Sequence, residues 1–334
     1  MDVGTHNHAV LMSQDRDGQV LTEPVPGGVA GDVLVGTGTA PSHHGELLQG
    51  LFEDGGRLRR GLVTLPCSLF ASEATVRLSS WEPELRVTPT WKTKSLSAAR
   101  DTLAALGLDT YGGVLELRGD VAVGRGLGSS TSDVTAAILA VLSATGRHLA
   151  PERIARIAVG AEVATDPLIF DRLVLFAQRE GEVIEDFHRP VLPMEVVGFS
   201  YADAEIDTLS WPAARYTPWE IEYFRSLRGL LRRAVGRGDT ADLGRIATAS
   251  ARINQRILPV PHFDRLLQTA EESGALGIQV AHSGTVAGLL FDSRQAQLES
   301  QVALATRRLN QLRFTDNWRY TAGSDSHGTH VRES

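Results

Sequence analysis

Gly124-Arg125-Gly126-Leu127-Gly128-Ser129-Ser130-Thr131-Ser132-Asp133 is the stretch on which the fold turns. Three alternating glycines run into four consecutive hydroxyl residues, and the segment that follows, Val134 to Leu142, is almost wholly apolar. Val134, Ile138, Val141 and Leu142 recur at helical spacing, which predicts a helix from about Ser129 through Thr145, with Gly146 just past its end. Glycine lets backbone N–H groups crowd toward an anion. A helix N-terminus adds unpaired donors and roughly half a positive charge, so a glycine loop feeding a helix makes a phosphate cradle. The Ser and Thr hydroxyls are suited to phosphate oxygens or a Mg²⁺ ion, and Arg125 supplies a fixed positive charge. The order of residues is neither G-x-x-x-x-G-K-[ST] nor G-x-G-x-x-G. A plain Gly-rich turn with a Ser cap is the blander alternative, and the run of four hydroxyls favours the cradle.

Upstream, short β-like runs bounded by Gly, Pro and Asp fall at Val33–Val35, Leu62–Phe70, Ala74–Leu78, Leu85–Thr88 and Val114–Leu117. A helix is expected at Ser95–Leu106, and another after Pro151, ending near Ala164. Strands follow at Leu173–Phe176 and Val191–Phe199. The pattern then turns helical. Thr217-Pro218-Trp219-Glu220 is a capping box with Pro at the first helical position, opening a helix to about Val235. Helices at Thr240–Gln255, Phe263–Ser273 and Arg294–Asn310 enclose strands Ile278–Ala281 and Ala287–Phe291. The domain boundary is placed near residues 185–200.

The chain has 334 residues, a formal net charge of −7, 42% hydrophobic and 22% charged residues. That composition supports a sizeable core and about two domains. The acidic balance argues against a surface built for nucleic acid or an anionic membrane. The longest mainly apolar run, Val134–Leu142, is less than half of the roughly 20 residues a spanning helix needs. One cysteine, Cys67, precludes an internal disulfide and reads as a buried small hydrophobe; with no secretory signal at the N-terminus, the expected compartment is the cytoplasm. Residues 1–30 and 323–334 read as loose polar tails, and His327 and His330 in the second are assigned no role.

The motifs together resemble those of the GHMP kinases, a superfamily of ATP-dependent small-molecule kinases. GRGLGSSTSD matches the second motif of that family, P-x-x-x-G-L-G-S-S, although Val121-Ala122-Val123 lacks its proline. His282-Ser283-Gly284-Thr285-Val286-Ala287-Gly288 is similar to the glycine-rich third motif. Thr39-Ala40-Pro41-Ser42-His43-His44-Gly45-Glu46-Leu47-Leu48-Gln49-Gly50 resembles the first motif in the form P-A-S-C-G-E-L-x-Q-G of the L-threonine kinase branch, with His43-His44 where that branch carries Ser-Cys. The resemblance spans roughly residues 33–315. It implies an α+β, two-domain fold: an ATP-binding domain of the ribosomal-protein S5 type at 31–190 and a ferredoxin-like domain at 191–322. It also implies ATP and Mg²⁺ as cofactors and a small hydroxylated acceptor, threonine or a relative such as homoserine, with no nucleic-acid or membrane partner. Assembly stays open, a homodimer among the options.

Residue roles follow from the same resemblance. Gly124, Gly126, Leu127, Gly128, Ser129, Ser130, Thr131 and Ser132 would hold the phosphates, with Arg125 beside them. Ser130 and Glu162 would hold the metal, and Asp166 would take the acceptor proton. Ser42, His43, His44, Gly45, Glu46 and Gln49, with Ser283, Gly284 and Thr285, would shape the acceptor site. Glu162 and Asp166 are four apart near a helix end and so can face one side, while Pro167 forces an extended exit at Asp166. Asp171 is the competing base. Arg225, Arg228, Arg232, Arg233 and Arg237 form a basic stripe read as a solvated helix face, with phosphate gripping as the alternative. His262 and His282 read as structural histidines.

Overall fold

The computed structural model describes residues 33–119, 126–201 and 215–323. Its frame is a hairpin of two long strands, β1 (Leu34–Asp54) and β2 (Arg57–Ser79), turned by Gly55-Gly56 with both φ angles positive. That is the backbone a tight two-residue hairpin turn demands and only glycine adopts freely. β3 (Leu85–Thr88) lies parallel to β4 (Gly112–Gly119), and β4 pairs antiparallel with β2. The chain then forms β5 (Val174–Ala177), β6 (Glu182–Asp186), β7 (Met194–Ser200), β8 (Gly277–Val280), β9 (Val286–Asp292) and β10 (Asn317–Ala322). One sheet runs β10-β7-β9-β8-β1-β2-β4-β3, with β5 and β6 attached to β2 off that path. The β8 and β1 strands are joined in register only at Glu46 opposite Val280. The residues from Val33 onward form one compact unit.

Helices cover the sheet in two groups: α1 (Thr93–Ala105) and α2 (Ser129–Thr145) over β1 to β4, with α3 (Pro151–Glu162) packed on both helices, and α4 (Pro218–Arg237), α5 (Thr240–Asn254), α6 (Phe263–Ser273) and α7 (Leu298–Gln311) over the far part of β1 and over β7, β8 and β9. The helix α2 touches β1 backbone to backbone. A Cβ on Gly36 would sit 2.1 Å from Ala144 N and one on Gly38 would sit 2.3 Å from Ala136 O, and both would meet Ala140 between them, so glycines on the strand meet the helix at a row of alanines four residues apart. That contact fixes the depth of the N-terminus of α2, where the phosphate cradle was expected.

The predicted α+β class holds, as do α2 and α6 to the residue. The capping box at Thr217 is present, with Thr217 Oγ1 accepting from Glu220 N and Glu220 Oε2 accepting from Thr217 N. Other expectations are corrected. The runs at Val33–Val35, Leu62–Phe70 and Ala74–Leu78 belong to one continuous hairpin, whereas Leu85–Thr88 is β3 as expected and Val114–Leu117 lies within β4; β6 and β10 are additional. β7 starts at Met194 because Pro190 and Pro193 cannot donate to a ladder. The last helix starts at Leu298, since Asp292 draws Arg294 N and Gln295 N into a turn first. The helix after Pro151 stops at Glu162, where Val163 takes a positive φ. The basic stripe is the solvent-facing side of α4 that was expected, with Arg225, Arg232, Arg233 and Arg237 exposed, and it also carries ion pairs: Arg225 with Glu53 and Glu222, and Arg228 and Arg232 with Glu185, which link α4 to the hairpin and β6. The tail readings at 1–30 and 324–334, His327 and His330 included, lie outside the described residues.

Candidate active site

The cradle begins where Gly126 and Gly128, both with positive φ, leave the loop for α2. Neither position has room for a side chain: a Cβ would meet Ser283 O at 2.1 Å from Gly126, and the His43 ring at 2.0 Å from Gly128. These glycines therefore let the third and first motifs close on the helix N-terminus. Leu127 is buried against Ala281 and Val286, and its carbonyl accepts from His43 N at 3.1 Å. It anchors the loop rather than facing a ligand. Ser132 is likewise structural, its hydroxyl donating to Pro41 O at 2.7 Å. Gly124 and Arg125 lie outside the described residues.

Ser130, Thr131, Glu162 and Asp166 converge one turn into the helix. Ser130 Oγ donates to Glu162 Oε2 at 2.6 Å, and Thr131 Oγ1 lies 2.9 Å from Glu162 Oε1 and 3.4 Å from Asp166 Oδ2. The spacing read from sequence thus does bring both carboxylates to one side. Burial pushes Glu162 up to about 7 against the hydroxyls that hydrogen-bond to it. Ringed by the hydroxyl oxygens of Ser130 and Thr131, this carboxylate offers, once ionised, the hard-oxygen donor set that Mg²⁺ prefers. Asp171, the rival base, is on the surface and paired with Arg172.

Asp166 is held differently. Burial alone would raise its pKa, but the charges of His43 and His282 hold it down to about 2. His43 Nε2 lies 3.1 Å from Asp166 Oδ2. His282 Nδ1 lies 2.8 Å from Glu46 Oε1 and 3.9 Å from Asp166 Oδ1. Against the cost of burial, Glu46 and Asp166 raise His282 to about 9, and Asp166 raises His43 as well. The two imidazoles stack with centroids 6.0 Å apart. Two imidazoles and two carboxylates thus form a quartet drawn from β1, the exit of α3 and the loop after β8, buried except for a partly exposed His282. His43, Glu46 and Asp166 also stand close enough together to share a metal ion.

Strict alternation along a strand would send residues 43 and 46 to opposite faces. A bulge corrects this: His44 and Gly45 occupy the space between His43, opposite Pro66, and Glu46, opposite Thr64, so two residues face Leu65 alone. Gly45 has φ 65° and a Cβ there would collide with Gln279 Oε1, so the bulge requires glycine. His44 consequently points away from the quartet. It lies against Trp318 and Tyr320, accepts from Gln279 Nε2, and is held neutral by burial, its pKa near 3. Its expected place among the acceptor residues is therefore not the one it occupies. Ser42 donates to Cys67 O at 3.0 Å, and Cys67 is buried as expected, its thiol pushed up to about 11.

In the third motif Ser283 borders the cradle at Gly126, Gly284 O accepts from Tyr201 OH at 3.1 Å, and Thr285 is buried beside Ser200. His282, read as structural, belongs to the quartet. Gln49 opens onto a cavity beside His282. Three residues at the site escaped sequence reading: Lys92, paired with Asp133; Ser72, donating to the same carboxylate at 2.8 Å; and Lys94, 3.4 Å from Ser130 Oγ. Lysines just ahead of a helix are so ordinary that only the fold, which packs α1 beside α2, marks these.

Residues 93–169 match the GHMP kinases N terminal domain and residues 231–306 the GHMP kinases C terminal domain. An L-threonine kinase of Salmonella typhimurium is 27% identical over 205 residues, covering 61% of this chain and 67% of that protein. A homoserine kinase of Moorella thermoacetica is 26% identical over 217 residues, covering 63% and 73%. Among solved structures, homoserine kinase from Cytophaga hutchinsonii superposes with a TM-score of 0.64 at 16% identity, over 86% of this chain and 94% of that one. The glycine cradle at the start of α2 falls inside the first of these matches, and the chain carries the N- and C-terminal domains of one family of phosphotransferases, the GHMP kinases.

Proposed function

We propose that the protein transfers the γ-phosphoryl group of ATP to the hydroxyl of L-threonine or a closely related hydroxy amino acid, with homoserine as the second acceptor. The observation that carries this reading is the convergence of Glu162 and Asp166 on Thr131 in the first turn of α2. One carboxylate faces the hydroxyls of the cradle, the other faces the acceptor side. The relatives named L-threonine kinase and homoserine kinase support the class of acceptor.

Phosphoryl transfer asks mainly for positioning and charge neutralisation, because the transition state is loose and the protein forms few covalent bonds. The N–H groups at Gly126 to Thr131 hold the triphosphate, and Ser130 with Glu162 holds Mg²⁺, which when bound neutralises the phosphate oxygens. Asp166 Oδ1 is buried with no hydrogen-bond partner, so it is the oxygen that receives the acceptor hydroxyl. With a pKa near 2 it is a weak base toward a free alcohol. An alcohol oxygen bonding to phosphorus becomes strongly acidic, so the proton passes to Asp166 late. His43 and His282 keep that carboxylate ionised until then.

The test is ADP release from the purified protein with ATP and Mg²⁺ against L-threonine, L-homoserine, L-serine and non-amino-acid alcohols. Turnover highest with threonine is expected. Equal or greater turnover of homoserine selects the second acceptor, and turnover of none of the amino acids defeats the reading.

A further inference from the structure

Arg59 and Arg60 are neighbours on β2 with opposite fates. Arg59 is tied to Asp54, Glu180 and Glu182. Arg60, opposite Leu51 of β1, points to the other face, is half-buried, and has no carboxylate partner among the described residues. Burial lowers its pKa, and Arg179 adds to the effect. A guanidinium stays charged regardless, so this partly desolvated cation is suited to an anionic group of a bound molecule.

Arg60 forms one wall of a cavity that His282 borders as well. The cavity therefore reaches from an unpaired cation to the imidazole standing beside Asp166. Between them lie Gln49 and Gln178. Gln49 spends its amide N–H on Val280 O at 3.2 Å and keeps its oxygen, while the Gln178 carboxamide makes no hydrogen bond among the described residues. Tyr216 and Asn254 on the far wall are already bonded to each other at 2.7 Å. No acidic side chain lines the space. One cation at one end, neutral amide oxygens in the middle and an ionised carboxylate beyond the other end describe a molecule with a carboxylate, an ammonium and a hydroxyl in that order.

Resting on the kinase reading above, we propose that this cavity is the acceptor site and that Arg60 pairs with the acceptor's carboxylate, while the oxygens of Gln49 and Gln178 take its ammonium. Arg60 is then the residue that makes a free carboxylate a requirement for the substrate.

The experiment compares kcat/KM for the best hydroxy amino acid of the panel with that for its primary amide, in wild type, Arg60→Gln and Arg60→Lys, with thermal melts to confirm folding. Wild type should prefer the acid by roughly 10- to 100-fold, the range of a charge-assisted hydrogen bond. Arg60→Gln should lose that preference through a raised KM for the acid, with a much smaller rise for the amide, and Arg60→Lys should restore part of it. Equal use of acid and amide by wild type overturns the inference with no variant needed. Retention of the preference in folded Arg60→Gln overturns it also, and in both cases the kinase reading stands. Absence of turnover with every hydroxy amino acid overturns that reading, and the inference with it.

Discussion

Glu162 and Asp166 share the hydroxyl of Thr131, yet burial pushes the first up to about 7 while His43 and His282, against the same burial, draw the second down to about 2. Opposite electrostatic states predict separable losses. Glu162→Gln should raise the Mg²⁺ needed for half-maximal rate roughly 10- to 100-fold, as expected when a charged ligand is lost. Its thermal melt without Mg²⁺ should stay level or rise, because a neutral isostere removes a costly buried charge. Asp166→Asn should lower kcat by about 10² to 10⁴ and leave the KM for ATP in place, measured by ADP release. The two acids were legible in sequence because a helix brings positions four apart to one side and Pro167 fixes the exit. The partners of Asp166 were not. His282 and Glu46 are 236 positions apart, and no local periodicity connects them.

At the scale of elements, the contact of β1 with α2 sets the height of the cradle. Gly38→Ala places a methyl group against Ala136 O and Ala140 N, where backbone cannot yield, and should cost about 1–3 kcal/mol in urea unfolding. Gly160→Ala, in α3 with open space around it, should instead stabilise by up to about 1 kcal/mol. Helices were read well because capping residues and a 3.6-residue stripe are local signals: α2 ends at Gly146, and α4 opens on Thr217-Pro218. Strands were read in fragments. β6 is acidic and β10 is polar and half-exposed, so neither shows the apolar alternation that marks a strand. β1 hid its length because its glycines, Pro41 and the bulge interrupt the pattern.

For the molecule as a whole, the quartet of His43, Glu46, Asp166 and His282 ties the front of the sheet to the back at the place where β1 meets β8. The folded pKa of His282 is raised from 6.5 to about 9, so its contribution is complete below about 6.5 and is lost as pH rises through 9. Urea stability should therefore fall by up to about 3 kcal/mol across that window, and His282→Asn should flatten the slope. Asp166 acts at the other extreme, its contribution fading as pH drops from 3.8 through about 2. The bulge at His44-Gly45 reaches further than the site it shapes. Upstream of it β1 answers to α2, downstream to the cavity that Gln49 and Arg60 border and to the second half of the sheet, and the bulge sets the phase between the two. Parity is thereby enforced: one residue added or removed between Gly38 and Gln49 would turn every side chain on one side of the change to the opposite face of the sheet. Changes of length in this strand are tolerable only in pairs.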